Sequence, residues 1–347
     1  MCNKVILYVA PNLSSFVIND IKILSERYRI IKNVYDWSNK IYVPFIVIRQ
    51  FFFLLRKIFF VKAIIVSSGG YWAFFPTLLG KIFKKKVFII LNGSDCASIP
   101  SIKYGMLGKF PLKLVCKMSY RFASYLLPVS SSLVSVKNTY YSDDEFSFQG
   151  YKFFFPEIKT NYEVVYNGVD NQFWKPLGTD RKESNSFISV FSNYSQFIRK
   201  GGDIIFEISK KLPDCKFYIV GFDKPKQTIN NHVIFLGKLN PEELKYYYNN
   251  SQFYLQLSVF EGFGVALCEA MLCECIPIGS SVNVIPDIIG DTGFILNNRN
   301  IFELEKLIRK AITCTKKKEK AKKARQRIVN NYSFEKRKNK LFSLLED

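Results

Sequence analysis

The chain has 347 residues, which is enough for two domains of ordinary size, and 48% of them are hydrophobic, which is enough for two cores. Its formal net charge of +21 at pH 7 indicates an anionic partner, such as nucleic acid, a membrane surface or a phosphorylated substrate. Zinc-finger, RNA-binding and basic-zipper patterns are absent from the sequence, which argues against nucleic acid.

The first half of the chain is the more basic. Residues 1–165 contain 22 Lys and Arg against 9 Asp and Glu, whereas residues 166–347 contain 28 against 20. A general bias toward Lys and Asn accounts for part of this excess. The eight cysteines show neither a pairing pattern nor zinc-site spacing, so we expect free thiols in a reducing cytoplasm.

Apolar strands alternate with amphipathic helices in the first half, as in a parallel sheet wrapped by helices. The pattern predicts a helix at 16–28 and strands at 5–9, 63–67, 86–91 and 125–129. The last three strands end in loops of small residues. Ligands bind beyond the carboxyl ends of strands in such sheets, so these loops are candidate binding segments.

Residues 41–67 contain long apolar runs interrupted by Arg49, Arg56, Lys57 and Lys62. A bilayer span is one interpretation, although no uncharged run reaches about 18 residues. A basic helix lying in the membrane interface is a second interpretation. The third, which we favour, is a buried helix followed by the strand at 63–67.

The second half repeats the same alternation. Strands are predicted at 163–166, 186–191, 216–220, 233–236, 253–257 and 276–279, and helices at 202–212, at 241–249 and from residue 301 onward. Residues 316–327 include eight basic residues, which predicts a solvated helix face, with contact to an anionic membrane as the second interpretation.

The most informative segment is 258–271, in which Glu261 and Glu269 flank the start of a predicted helix. Gly262, Phe263 and Gly264 form a turn, because glycine tolerates backbone angles that other residues resist. The amides of Val265, Ala266 and Leu267 would then have no acceptor inside the helix and would suit a phosphate. Glu269, one turn in and leaning back, would reach a sugar hydroxyl beside that phosphate.

This segment closely resembles the Glu-x7-Glu motif of glycosyltransferase family 4, the retaining group-1 glycosyl transferases of bacterial polysaccharide and glycolipid synthesis. The segments at 274–279, 284–290 and 293–295 also fit, although the family usually has Gly at the position of Glu274. The resemblance implies the GT-B fold, in which two Rossmann-like doubly wound α/β domains face a central cleft. We expect an acceptor domain at 1–165, a donor domain at 166–325 and a helix at 326–347 that crosses back to the first domain.

The resemblance also implies roles for individual residues. Glu269 would bind the donor ribose, and Glu261 would contact the donor sugar or stabilise positive charge at its anomeric carbon. The backbone of 262–267 would hold phosphate and sugar. Lys200, in the family's Lys-Gly motif, would bind the diphosphate. Gly221 and Gly237 would lie at the edge of the base pocket.

Two ways of neutralising the departing diphosphate are a metal held by Asp-x-Asp, a motif that the sequence lacks, and fixed cations with helix N-termini. We therefore expect no metal and no other cofactor. The family usually has Arg where this chain has Ser195, and Arg199 is the candidate substitute.

The acceptor side is less well defined by the sequence. Many relatives use a histidine in the first domain, but the only histidine here is His232. Asp95 is the remaining candidate for orienting an acceptor hydroxyl, and an aspartate that caps its own loop is the equal alternative. Ser14, Ser15 and Phe16 stand where many relatives have a glycine pair, which predicts a different acceptor pocket.

The sequence therefore predicts a retaining glycosyltransferase that moves a sugar from a UDP- or GDP-sugar to a glycan or lipid-linked acceptor. We expect it in the cytoplasm, at the inner face of the plasma membrane, where basic residues would contact anionic lipid. Two alternatives stay open. One is a GT-B nucleotide-sugar epimerase, and the other is a non-enzymatic protein that binds membranes or polyanions.

Overall fold

The structure, a computed structural model, describes residues 4–39, 41–142, 144–178, 182–223 and 232–346. The described residues in the first part of the chain form ten strands and six α-helices. The strands are β1 (Val5–Ala10), β2 (Arg29–Val34), β3 (Ala63–Ser67), β4 (Lys86–Leu91), β5 (Ser98–Ile99), β6 (Tyr104–Gly105), β7 (Tyr125–Pro128), β8 (Val136–Lys137), β9 (Phe148–Gln149) and β10 (Asn161–Tyr162). The helices are α1 (Ser15–Ser25), α2 (Val43–Lys57), α3 (Tyr71–Ile82), α4 (Leu112–Phe122), α5 (Asp144–Ser147) and α6 (Tyr151–Phe154).

The second part continues the alternation of strands and helices. Its strands are β11 (Glu183–Val190), β12 (Lys216–Val220), β13 (Val233–Phe235), β14 (Ser251–Gln256), β15 (Ile276–Ser280) and β16 (Phe294–Leu296). Its helices are α7 (Gly202–Lys211), α8 (Pro241–Asn250), α9 (Val265–Leu272), α10 (Ile285–Ile289), α11 (Ile301–Thr313), α12 (Lys317–Tyr332) and α13 (Phe334–Glu346).

The chain divides into two compact units. The described residues of 1–136, 148–168 and 335–347 form the first unit, and those of 137–147 and 169–334 form the second. The sequence places the boundary after residue 165 and treats 326–347 as one helix. In the structure α12 ends at Tyr332, extended backbone at Ser333 interrupts the helix, and α13 packs within the first unit.

The first unit contains a six-stranded parallel sheet in the order β10-β7-β4-β3-β1-β2. Its central strands β3 and β4 are buried except for Lys86 at the start of β4, and β3 matches the predicted strand. The strand predicted at 163–166 is wrong, because β10 ends at Tyr162. The N–H groups of Glu163 and Val165 nevertheless donate to the carbonyls of Leu126 and Pro128, so the extended chain still follows β7.

Helix α2 differs from the favoured expectation of a buried helix. Only Gln50 and Leu54 are buried in it, and its apolar side chains Phe45, Ile48 and Phe52 are more than half exposed. Among the described residues, no helix is both long enough and apolar enough to cross a bilayer. The buried-helix interpretation is therefore wrong for this segment.

The second unit contains another six-stranded parallel sheet, in the order β13-β12-β11-β14-β15-β16. Phe217, Phe187 and Phe253 lie in register on β12, β11 and β14, with stacked rings 5.1 and 4.9 Å apart. All three rings are buried, and aromatic pairs of this kind stabilise a sheet beyond simple burial.

Helix α13 is attached to the first unit by a buried ion pair. Both side chains of the pair, Arg337 and Asp20, are 2% exposed, and they are joined by two hydrogen bonds of 2.5 and 2.8 Å. Arg337 also donates to the carbonyls of Val165 and Tyr166, and Tyr8 donates to Asp20 at 3.1 Å. Each of the three guanidinium nitrogens thus donates to a fixed acceptor.

We predict that Arg337→Met lowers the free energy of unfolding by about 3 to 5 kcal/mol, because it leaves the Asp20 carboxylate buried without its partner. The matched control is Lys338→Met on the same helix, whose ion pairs with Glu26 and Glu335 are exposed to solvent, so this substitution should change the free energy of unfolding much less. Urea unfolding followed by circular dichroism measures both. Equal losses in the two variants would contradict the prediction.

Candidate active site

The candidate site lies where the order of the second sheet reverses. From β11 the chain adds β12 and β13 on one side and then returns to add β14 and β15 on the other. Helices and loops leave β11 and β14 in opposite directions at such a point, which opens a crevice at the carboxyl ends of the two strands. Lys200 follows β11, and Glu261 and Glu269 follow β14, so the topology gathers the predicted residues at one edge.

Glu261 is held by several polar groups of its own unit. Its Oε2 accepts hydrogen bonds from Gln256 Nε2 at 3.0 Å and from Ser258 Oγ at 3.5 Å. Its backbone N–H donates to Asn283 Oδ1 at 3.3 Å. The side chain is 12% exposed, so this carboxylate has a defined position with restricted access to solvent.

Arg199 lies behind Glu261. Its guanidinium is 3.8 Å from Glu261 Oε2 and donates to the Phe260 carbonyl at 3.0 Å. The residue is 8% exposed. In this conformation Arg199 supports the Glu261 loop, and its role as a substitute diphosphate ligand stays a prediction. The side chain of Ser195 lies outside the described part of the structure.

The Lys200-Gly201 turn presses against the end of β14. Gly201 has φ of 74°, and a Cβ there would lie 2.2 Å from the Leu257 carbonyl oxygen, so only glycine fits without displacement. Lys200 Nζ donates to the carbonyl of Val190, the last residue of β11, at 3.1 Å. Burial lowers the pKa of Lys200, whereas the charges of Glu261 and Glu269 raise it.

The glycine turn and helix α9 have the predicted form. Gly264, at φ of 98°, is the N-cap, and α9 begins at Val265 without a side-chain cap. At the other end of α9, Arg325 donates to the Leu272 carbonyl and Lys182 donates to the Cys273 carbonyl at 2.9 Å. Cations thus compensate the negative end of the helix dipole, while the positive end faces the candidate site.

Glu269 lies in the second turn of α9. Burial raises the pKa of its carboxyl to about 8, and the nearby Lys200 ammonium opposes that rise. A neutral carboxyl beside a lysine at pH 7 is a group whose charge responds to a bound ligand. The charges of Glu261 and Glu269 thus both act on Lys200.

The two predicted base-pocket glycines are neighbours across β12 and β13. The Gly221 N–H donates to the Gly237 carbonyl at 2.6 Å. Gly221 has φ of 117°, and a Cβ there would lie 1.7 Å from the Phe191 carbonyl oxygen. Both glycines lie at the same carboxyl edge as Lys200, on the opposite side of β11 from β14.

Sequence reasoning missed the residues that position the Glu261 backbone. Asn283, at φ of 51°, donates its N–H to Asn138 Oδ1 at 3.0 Å. Asn138 is 4% exposed and donates from Nδ2 to the Phe146 carbonyl. No spacing rule connects residues 138, 283 and 261. The only signal in the sequence is that asparagine, more than most residues, adopts this backbone region.

In the first unit, Asp95 caps its own loop. It is fully buried, and its carboxylate accepts the backbone N–H groups of Gly69, Asn92 and Gly93 at 2.8 to 3.0 Å. These bonds correspond to the alternative interpretation, the loop-capping aspartate, and leave no carboxylate surface for an acceptor hydroxyl.

A cavity of about 400 Å³ opens at the carboxyl edge of the first sheet, where the order reverses between β1 and β3. Ser14, Ser67 and Ser68 contribute to its lining, and the Trp37 and Trp72 rings lie 6.2 Å apart in its wall. Hydroxyls and aromatic faces suit a polyhydroxylated ligand.

His232 lies immediately before β13, at the amino edge of the second sheet. Parallel strands place this edge opposite the carboxyl edge that holds Lys200 and Glu261. Within the described ranges, no three His, Cys, Asp or Glu side chains converge in the manner of a metal site.

Comparisons with known proteins bear on both units. Residues 190–328 match the family described as glycosyl transferases group 1. The N-acetyl-alpha-D-glucosaminyl L-malate synthase of Bacillus anthracis is 33% identical over 162 residues, which cover 40% of this chain and 41% of that protein. The phosphatidylinositol N-acetylglucosaminyltransferase GPI3 subunit of Saccharomyces cerevisiae is 30% identical over 144 residues, 36% of this chain and 32% of that protein. The chain spans about a third of the length of the first curated relatives.

Solved structures match nearly the whole chain. Anabaena HepE in complex with UDP and glucose superposes with a TM-score of 0.73 at 15% identity and 99% coverage of both chains. Sucrose-phosphate synthase from Thermosynechococcus elongatus gives a TM-score of 0.71 at 12% identity, with 99% and 98% coverage. The predicted fold is confirmed, since the chain has the GT-B fold. The predicted family is supported over residues 190–328, which match the group 1 glycosyl transferases.

Proposed function

We propose that the protein is a retaining glycosyltransferase that moves a sugar from a UDP- or GDP-sugar to a glycan or lipid-linked acceptor. The observation that carries this proposal is the placement of Lys200 after β11 and of Glu261 and Glu269 after the adjacent strand β14, where the charges of both glutamates act on Lys200. The N-terminus of α9, in the same segment, has no side-chain cap. A donor of this class combines a diphosphate, a ribose and a sugar, and the site offers a cation, a helix N-terminus and two carboxyl groups to match them.

Each group has a defined task in the proposed reaction. The α9 amides and Lys200 hold the diphosphate and stabilise the charge that grows as the bond between the anomeric carbon and phosphate oxygen breaks. Glu269 binds the ribose hydroxyls. Glu261 stabilises the positive charge at the anomeric carbon while the acceptor oxygen forms the new bond on the same face. The departing phosphate takes the acceptor proton, so no metal and no protein base is required.

Names of relatives and neighbours support the donor class. HepE was crystallised with UDP and glucose, and several relatives are named as N-acetylglucosaminyl or mannosyl transferases. We place the reaction in cell-surface polysaccharide or glycolipid synthesis on the cytoplasmic side of the membrane. An epimerase would need acid and base groups around the sugar, and Glu261, with one oxygen already engaged, offers only one carboxylate there.

We predict that Glu269→Ala abolishes the thermal shift given by nucleotide sugars and lowers kcat/KM about a hundredfold, equivalent to about 2.7 kcal/mol, because the ribose loses its acceptor. A screen of UDP- and GDP-sugars by thermal shift and sugar release identifies the donor. Glu207→Ala, an exposed glutamate on α7, is the matched control and should behave as the wild type.

The same screen in the presence of EDTA tests metal independence. Turnover with EDTA should equal turnover without it, because Lys200 and the α9 amides hold the diphosphate. Activity that disappears with EDTA and returns with Mg²⁺ or Mn²⁺ would contradict this part of the proposal.

Proton NMR of the first-formed product tests retention. The product should keep the anomeric configuration of the donor, and an inverted anomer would refute retention.

The raised pKa of Glu269 predicts a pH dependence of stability. The Glu269 carboxyl has an ordinary pKa of 4.5 and a pKa of about 8 in the folded protein. At pH values between these two, Glu269 keeps a proton in the folded state that it has lost in the unfolded state. Stability from this group is therefore complete below about pH 4.5 and decreases as pH rises through about 8. The melting temperature of the wild type should fall relative to Glu269→Gln between pH 6 and 8.5. Parallel curves would contradict the assignment, and Glu207→Gln controls for loss of an exposed carboxylate.

The Asn283 contact predicts an effect on turnover. Asn283→Gly keeps the positive φ but removes the acceptor for the Glu261 N–H, so we expect kcat to fall about tenfold, typical of one lost hydrogen bond of about 1.4 kcal/mol. Donor KM should change less than twofold, since the diphosphate contacts remain. Asn298→Gly, at an exposed position, is the control. An unchanged kcat would show that this contact does not position Glu261.

A further inference from the structure

We propose that the outward face of α2, continued by the 3₁₀ turn at Ile58–Phe60, docks on the surface of an anionic lipid bilayer. The evidence is an inversion of the usual helix pattern, in which apolar side chains face the core and polar ones face water. Here seven large apolar side chains between residues 41 and 60 are 56% to 76% exposed. They are Ile41, Tyr42, Phe45, Ile48, Phe52, Phe59 and Phe60.

These side chains form one stripe. Ile41, Phe45, Ile48 and Phe52 are spaced by four, three and four residues, the interval that places side chains on a single helix face. Phe59 extends the row into the 3₁₀ turn and packs edge-on against Phe83 at 5.0 Å. A contiguous exposed apolar surface of this kind marks an interaction site.

The rotation of α2 is fixed from the inside. Gln50, on the opposite face, is fully buried and donates from Nε2 to Asn33 Oδ1 at 2.9 Å and to the Trp72 carbonyl at 3.1 Å. Rotating α2 to bury the apolar stripe would break both hydrogen bonds and expose the Gln50 amide to solvent. Asn33 Oδ1 and the Trp72 carbonyl would then lose this donor. The outward stripe is thus a stable feature of the first unit.

The charge around the stripe has one sign. Between Asp36 and Asp95 the sequence contains nine Lys and Arg and no Asp or Glu. A shallow cavity of about 560 Å³ beside α2 is lined by Lys32, Arg49, Arg56 and Lys57, with Phe52 among them. Cations that flank exposed aromatic side chains match phosphate headgroups above an acyl layer.

The geometry fits a helix that lies in the interface. The 15 residues of α2 extend about 22 Å at 1.5 Å per residue, shorter than the roughly 30 Å of hydrocarbon in a bilayer. A second copy of this chain is a poorer partner, since a two-fold contact would bring the same cations together. A protein partner would meet a charged flank, whereas the cores of protein interfaces are depleted in charge.

The test measures binding of the whole protein, without nucleotide sugar, to sedimented vesicles of phosphatidylcholine containing 30% phosphatidylglycerol. The wild type should bind, and binding should decrease with salt and with vesicles of phosphatidylcholine alone. Phe45→Ser with Phe52→Ser should weaken partitioning at least tenfold. Arg49→Gln with Arg56→Gln should weaken it about 25-fold, at about fivefold per cation, and reduce the salt dependence.

The matched control is Tyr246→Ser with Phe302→Ser, which removes two equally exposed aromatic side chains from the second unit and should leave partitioning unchanged. Phe52→Trp fluorescence should shift to the blue and be quenched by brominated lipid, whereas Phe302→Trp should show neither change beyond the wild-type background. Circular dichroism confirms that each variant is folded.

Three results would overturn the proposal. They are absence of binding by the wild type, equal loss in the α2 and control variants, and a concentration-dependent dimer that Phe45→Ser with Phe52→Ser abolishes. None of them depends on transferase activity, so the docking surface and the proposed reaction can fail separately.

Discussion

Helix α9 has a cation-bound C-terminal end and an open N-terminal end, and this polarity organises the second unit. Lys182 donates to the Tyr248 carbonyl near the end of α8 and to the Cys273 carbonyl just after α9. Arg325 donates to the carbonyl of Leu272, the last residue of α9. Charges at the C-terminus stabilise the helix without occupying its N-terminus. The amides that remain therefore face the carboxyl edge of the sheet, where Lys200 and Glu261 lie. The segment 316–327, expected to be a solvated face, contributes Arg325 and also Arg327, which donates to the Ile288 carbonyl.

Sheet topology explains why the site residues meet although they are distant in sequence. Lys200 and Glu261 belong to loops that leave adjacent strands, and the reversal of order between β11 and β14 keeps the space between those loops open. Gly201 makes the approach possible, because any side chain there would collide with Leu257. The first sheet repeats this logic between β1 and β3, and its cavity occurs at that point. In each unit, the candidate site thus lies where the strand order of the sheet reverses.

The glycine turn and the start of α9 were predictable because each follows from local chemistry. Gly264 must adopt positive φ, and a helix must leave its first amides without internal partners. Strand β2 and helix α3 were not predicted. Arg29 and Lys32 break the apolar pattern of β2, which is an edge strand, and α3 contains both Pro76 and Gly80. The support of Glu261 by Asn283 and Asn138 depends on tertiary contacts, since residues 137–147 pack with the second unit. No sequence periodicity encodes such a contact.

Helix α2 likewise shows that a sequence pattern alone does not determine which face of a helix is exposed. Its apolar residues are so numerous that the sequence allows the helix to be buried, to span a bilayer or to lie on one. The deciding residue is polar: Gln50 reaches Asn33 and the Trp72 carbonyl only when the stripe of Phe45, Ile48 and Phe52 faces outward. Leu54, also fully buried, and Phe51, which packs on Phe75 at 5.1 Å, hold the same face of α2 against the first unit. One buried amide and its apolar neighbours thus fix which face of α2 meets the surroundings.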